Sequence, residues 1–353
     1  MTSPNLCLEI EVSKKINPES IMKKFDTLFS RPVLLTVLCA AMVFLGQKAG
    51  LSATVTSTTT GGTWSTGATW VGGTVPGTSD SVIIATTGTN AVTISANVTQ
   101  LSAGSVTVLN GATLTTTGGN ITFGALIIQS GGTVTMRRSM TVRRTSTISG
   151  TINFGSTSTL QRTMTFTGAV TLNSGSTWNE TTTGTAAAFS FASSFTNNAG
   201  SFTSQNTAHN FTGSGTLDGS TATAFPTMTF TGNYTNEGTL TATTNLTVTG
   251  AAIRLTNNGT INASAALSGT GGVTQGSTGT LNLGGTSTIT TLIATATGNT
   301  VNYTGATQTL KVVAYHHLTL SGSGQTFGTI TTVGGDLTLS GSATATTGAA
   351  LPV

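Results

Sequence analysis

The stretch LTNNGTI, from Leu255 to Ile261, decides the reading of this chain, because its pattern returns along most of the sequence. An apolar residue is followed by one to four turn residues ending in Gly, then one or two small or hydroxyl residues, then a second apolar residue. The same unit reads VLNGATL from Val108, IIQSGGTV from Ile127, ISGTI from Ile148, LNSGSTW from Leu172, FTNNAGSF from Phe195, FTGSGTL from Phe211, YTNEGTL from Tyr234 and VTQGSTGTL from Val273. Its glycines fall at 111, 131, 150, 175, 200, 215, 238, 259 and 279, in steps of 15 to 25 residues with most near 20. LTLSGS, at Leu318 and again at Leu337, carries the period to the last rows. A period of this size marks a solenoid, since tandem β-sandwiches would repeat only about every 80 to 100 residues.

Each part of the unit has a physical reason. Asn or Ser followed by Gly tolerates a left-handed backbone and turns the chain sharply between short strands. Alternation such as Ser105-Val106-Thr107-Val108 has the period of two of a strand with one face buried. Inward Val, Ile, Leu and Phe then stack on their counterparts about 4.8 Å away. About 300 residues at roughly 21 per turn predict some 12 to 14 rungs and about 60 to 70 Å of rod. Asn110, Asn173, Asn198 and Asn258 recur near one turn position and read as a structural ladder of stacked amides. The repeats occupy 96–353. Before them, 54–95 carries Trp64, Trp70, Pro76 and Asp80 without the repeat and reads as an N-terminal cap over the first rung, which would otherwise expose edge strands.

Only 6% of the 353 residues are charged, and the formal net charge is +4. An ordinary soluble domain carries about 25%, so Thr and Ser hydroxyls must keep this one in solution, and β-branched Thr favours strands. Residues 1–53 read as a leader with a possible true start at Met22. Lys23 and Lys24 form a basic region, Val33 to Leu45 an apolar one, and Leu51-Ser52-Ala53 a cleavage site. The 13 apolar residues are fewer than the roughly 20 that span a bilayer, so a secretory signal peptide, helical while attached, is expected, and with it a secreted or cell-surface protein. Cys7 and Cys39 both lie in the leader, which leaves no disulfide or thiolate chemistry beyond it.

The opening GATWVGGTVPGTSDSVII (Gly67 to Ile84) resembles the mature start of large secreted parallel β-helix proteins of Gram-negative bacteria. GNTVNYTGATQTLKVVAYHHLTLSGSG (Gly298 to Gly324) and TTVGGDLTLSGSATATTGA (Thr331 to Ala349) are similar to repeats of the same adhesin-like and autotransporter-like proteins. The resemblance implies an all-β, single-stranded, right-handed parallel β-helix. It also implies an adhesive or spacer role at the outer membrane or in the matrix, with no catalytic residues to carry over. Such proteins end in a membrane barrel or sorting domain. Ending instead at Leu351-Pro352-Val353, the chain is expected to be truncated, touching membrane only through export or a missing anchor.

Glycoside hydrolysis needs two carboxylates about 5 to 9.5 Å apart. Asp218 and Glu237 are 19 residues apart, and measured from Gly215 and Gly238 they are offset by four residues, roughly 13 Å. No enzyme is expected, and a polysaccharide-degrading β-helix is the alternative. His316 and His317 adjoin Tyr315 on opposite faces of a strand and His209 is distant, so no metal and no cofactor are expected. MRRSMTVRR (Met136 to Arg144) supplies Arg137, Arg138, Arg143 and Arg144, with Arg162 19 residues past Arg143 and expected above it. This patch, without a nearby acid, suits anionic polysaccharide, lipopolysaccharide or DNA phosphate, and the partner expected is a host or matrix surface. No aromatics interleave it and the remaining charge is sparse, so no specific nucleic acid is expected. A further alternative is ice or crystal-surface binding through Thr-x-Thr arrays such as TLTTT from Thr113, against which stand an expected drift of Thr spacing and the interrupting arginines.

Overall fold

In the computed structural model, residues 52–99, 104–155, 162–180, 185–327 and 332–347 are described. The expected leader, with the export signal read from it, lies outside them apart from Ser52 and Ala53. From Ser52 onward the chain forms one unit, and its strands are two to four residues long and pair in parallel, each with the strand one turn on. One turn runs through three sides. Ser105–Val108 lies on a first face, Thr113–Thr116 on a second and Ile121–Phe123 on a third, after which Ala125–Ile128 returns to the first. The first face stacks twelve strands and the third ten. The second carries two stacks of seven: the first ends at Ser201–Thr203 and the next begins at Thr223–Ala224. Twelve strands about 4.8 Å apart span about 53 Å. This is an all-β parallel β-solenoid.

The 54–95 segment already enters the stacks. Thr54–Thr56 pairs with Ser81–Ile84 at the end of the first face, and Gly62–Thr63 pairs with Val92–Ile94 on the second. Trp64 and Trp70 are buried edge to face, 5.0 Å apart, and Trp70 Nε1 donates to the Trp64 carbonyl at 2.7 Å.

Alternation places Val, Ile, Leu, Met and aromatic residues inside. On the third face Phe166, Phe191, Phe211 and Phe230 occupy one register position on successive rungs, with ring centroids 5.5, 5.2 and 4.7 Å apart. Burying each such ring contributes about 1.5 to 3 kcal/mol, so stability accumulates along the axis. Close passage of neighbouring turns excludes side chains at some corners: a Cβ on Gly232 would collide with the Gly213 carbonyl.

Two expectations change here. Asn198 is not one member of an amide stack: its Oδ1 accepts from the N–H and hydroxyl of Ser220. Asn173 donates to Ser149 Oγ at 2.8 Å and Asn258 to Glu237 Oε1 at 2.8 Å, while Asn110 stands exposed at its turn. The amide ladder runs one residue earlier and inside. Asn236 Nδ2 donates to Asn257 Oδ1 at 2.7 Å and Asn257 Nδ2 to Gln275 Oε1 at 2.9 Å, all three being buried. Strand parity is the reason, since Asn257 is two residues past inward Leu255 and Asn258 is not. Asn257→Leu removes the donor to buried Gln275 Oε1 and to the Thr280 carbonyl and takes one of three acceptors from Asn236 Nδ2, which keeps the Gly238 and Thr260 carbonyls, and should cost about 1 to 3 kcal/mol in denaturant unfolding.

Second, Gly215 begins a strand (Gly215–Asp218) rather than closing a turn. It pairs with Tyr234, and Leu217 pairs with Asn236. Asp218 and Glu237 therefore follow in register on adjacent rungs, about 4.8 Å apart along the axis, in place of the expected offset of roughly 13 Å.

Tyr234, Tyr303 and Tyr315 are buried. Burial pushes the Tyr234 phenol up to about 12 and raises Tyr303 and Tyr315 as well. An unfolded phenol ionises near pH 10, so the unfolded chain loses these protons first. Stability is present in full below about pH 10 and falls as pH rises toward the folded values. Phenolate absorbance should stay flat in the native protein through about pH 10.5 and appear together with loss of β-sheet signal.

Candidate functional site

The arginines divide between two corners of the rod. Arg137 and Arg138 follow the second-face strand Thr133–Thr135, whereas Arg143 and Arg144 follow the third-face strand Met140–Val142. Four residues, five steps of extended chain, separate Arg138 from Arg143, about 17 Å. Hydrogen bonds to the preceding rung fix the backbone at both corners: Arg137 N donates to Thr116 Oγ1 at 2.7 Å, Arg143 N to the Phe123 carbonyl at 3.0 Å and Arg144 N to the Gly124 carbonyl at 2.7 Å. Arg137, Arg143 and Arg144 are exposed, and Arg138, half-buried, donates from Nε to the Thr117 carbonyl at 3.0 Å.

Arg162 departs from the expectation in two ways. Met140 pairs with Met164, which sets Arg162 one rung above Arg138 rather than Arg143. It is also 2% exposed. Its guanidinium donates to the carbonyls of Phe154, at 3.4 Å, and Thr185, at 2.6 Å, while Nε is shut from solvent without a partner. Burial, and after it the charge of Arg138, lowers its pKa. The surface patch therefore consists of four arginines.

The five carboxylates beyond residue 53 are all engaged elsewhere. Asp80 accepts from the backbone of Ala53 and Gly77, Asp218 from Gly219 N, and Glu237 from Asn258, while Asp336 lies with its carboxylate 3.2 Å from His317 Nδ1, the nitrogen that accepts from Asp336 N. Glu180 is buried and lies 3.1 Å from His209 Nε2. It also accepts from Trp178 Nε1 at 2.8 Å and Gln205 N at 2.9 Å. His209 Nδ1 faces the carbonyls of Thr207 and Thr227, so this nitrogen carries a proton. No sequence signal paired Glu180 with His209, because the corner between them varies in length. Among the described residues no three His, Cys, Asp or Glu side chains gather to hold a metal ion.

On the second face the Thr columns keep constant register. Thr113, Thr133, Thr151 and Thr177 align, beside Thr115, Thr135, Asn153 and Asn179. In the next stack Thr239, Thr260, Thr280 and Thr300 align beside Thr241, Asn262, Asn282 and Asn302. The arginines lie at corners and do not interrupt these columns; the first Thr column is continuous in each stack, while Thr-x-Thr gives way to Thr-x-Asn from Thr151 in the first stack and from Thr260 in the second.

No protein-family profile, curated protein or solved structure matches the chain.

Proposed function

We propose that the chain is an exported, non-enzymatic β-helical stalk or adhesin of the cell surface, which adheres to anionic polysaccharide through its arginine corners. One observation carries this reading: Arg137, Arg138, Arg143 and Arg144 have no carboxylate partner among the described residues, although each carboxylate beyond the leader is engaged elsewhere. Cations left unpaired at two corners about 17 Å apart form a divided site for an extended polyanion crossing the third face, whose bidentate carboxylate or sulfate contacts favour Arg. The 54–95 segment serves as the first-rung cap, with its buried Trp pair as filling. Asp218 and Glu237 sit exposed at a corner and are engaged by Gly219 N and Asn258, which favours a structural role over hydrolysis.

The test is binding of the full chain to immobilised heparin and alginate, beside neutral dextran, at about 50 and 200 mM salt. Expected is saturable binding to the anionic polymers that weakens steeply with salt and drops at least tenfold when all four arginines become Ser. Binding unchanged by that substitution overturns the reading. A second reading, ice or crystal-surface binding, is favoured by the constant Thr register. Under it, Thr260→Tyr with Thr280→Tyr abolishes ice shaping and the arginine variant retains it.

A further inference from the structure

The ladder of the third face stops at Thr286–Ser287, its last strand. The chain passes this side again at 305–311 without forming a strand, and only Thr309 bridges onward, to Thr326. Between the two passes lies an open slot of about 390 Å³, within the usual range for a small-molecule site. Thr286, Ser287, Thr307 and Thr309 line it with hydroxyls, and Lys311 brings its one formal charge.

Three further observations point to a ligand. Thr307 has φ +53°, and among the described residues it is the only one besides glycine in the left-handed region. Strain of that kind persists where the surroundings hold it, commonly at binding sites. The half-buried Ser287 has its Oγ shut from solvent with no hydrogen-bond partner. Finally, the slot wall is clamped. Tyr303 and Tyr315 hydroxyls meet at 2.9 Å, Lys311 N donates to Tyr303 Oη at 3.0 Å, and Tyr315 Oη donates to the Lys311 carbonyl at 2.7 Å. Gln308 uses its amide on Leu283, Gly285 and Gly305 of the backbone, so it is frame and not contact. A hydroxyl-lined wall fixed before any ligand arrives binds at little ordering cost.

We propose that this slot binds a single acidic sugar residue, its carboxylate against Lys311 and its hydroxyls against Thr286, Thr307 and Thr309, with the Ser287 hydroxyl, shut from solvent in the free slot, rotating about χ1 to join them. One positive charge among hydroxyls selects a monoanionic polyol over a neutral sugar, and the volume is ample for one ring. The site lies on other rungs than the arginines and stands or falls apart from them.

The experiment is calorimetric titration of the full chain with glucuronate and with glucose. It is repeated on Lys311→Met, Ser287→Ala and the variant with the four arginines changed to Ser. Lys311 is held through its backbone, so Lys311→Met keeps the fold. Expected are saturable glucuronate binding, no glucose binding, an affinity at least tenfold lower in Lys311→Met and several-fold lower in Ser287→Ala, and no change in the arginine variant. Absence of glucuronate binding overturns the proposal, as does equal binding of glucose, affinity unaltered in Lys311→Met, or loss in the arginine variant. Unaltered binding in Ser287→Ala with raised stability marks the slot as a packing fault and overturns it too.

Discussion

Glu180→Ala should destabilise the rod by about 3 to 5 kcal/mol, the usual consequence of removing one member of a buried ion pair. The size follows from what is left behind. His209, fully buried with Nδ1 already committed to two carbonyls, would present Nε2 to apolar surroundings. Trp178 Nε1 and Gln205 N would each lose an acceptor at the same time. His209 is also sandwiched between Phe189, at 5.1 Å, and Phe225, at 3.9 Å, so it has no route to solvent. Replacing both partners, with Glu180→Leu and His209→Phe, should recover much of the loss, because an apolar pair of similar volume removes the desolvation cost on both sides. Denaturant unfolding of the two single variants and the double variant closes the cycle. A double variant as unstable as the sum of the singles would show that the site needs polarity itself.

Phe191→Ala should cost about 3 to 5 kcal/mol, the range for deleting a buried aromatic ring. Phe191 lies against Phe166 and Phe211 of the rungs before and after, and against Trp178, Phe195 and Phe225 across the interior. A cavity there touches three consecutive turns. In a quasi-one-dimensional fold the damage should stay near its origin, so hydrogen exchange should accelerate in strands from Thr163–Phe166 to Thr227–Phe230. Ser81–Ile84 and Thr300–Tyr303 should exchange as in the parent. Uniform acceleration along the rod would mean that its turns unfold as one unit.

The repeat itself was legible, because LTNNGTI and its copies carry both the turn glycines and the period-two alternation that set the parallel stacks. What escaped was register. Counting from glycines assumed one turn position per Gly, and Gly215, which begins a strand, broke the count and misplaced Asp218 against Glu237. Arg162 was lost for a related reason, since the run from Phe154 to Arg162 lengthens one corner and a step of 19 residues no longer lands one rung above. The inward amide ladder was within reach. Asn236, Asn257 and Gln275 each lie two residues past an inward Tyr234, Leu255 or Val273, and parity alone distinguishes them from their neighbours. The Thr columns were expected to drift with the variable period. The first column of each stack holds because corners, not strands, absorb the variation, while the second passes from Thr to Asn. The slot beside Lys311 left no trace in the repeat, as it arises where a pass of chain declines to become a strand.

The corner between the second and third faces has a consequence for how such a rod can change. It spans 154–162 on one turn, 180–187 on the next and 225–226 two turns later, yet Thr151 still pairs with Thr177 and Thr163 with Ala188. Length added there leaves the pairing of the strands on either side untouched. New sequence can be grafted at that edge one turn at a time, so the scaffold can acquire binding loops without renegotiating its core.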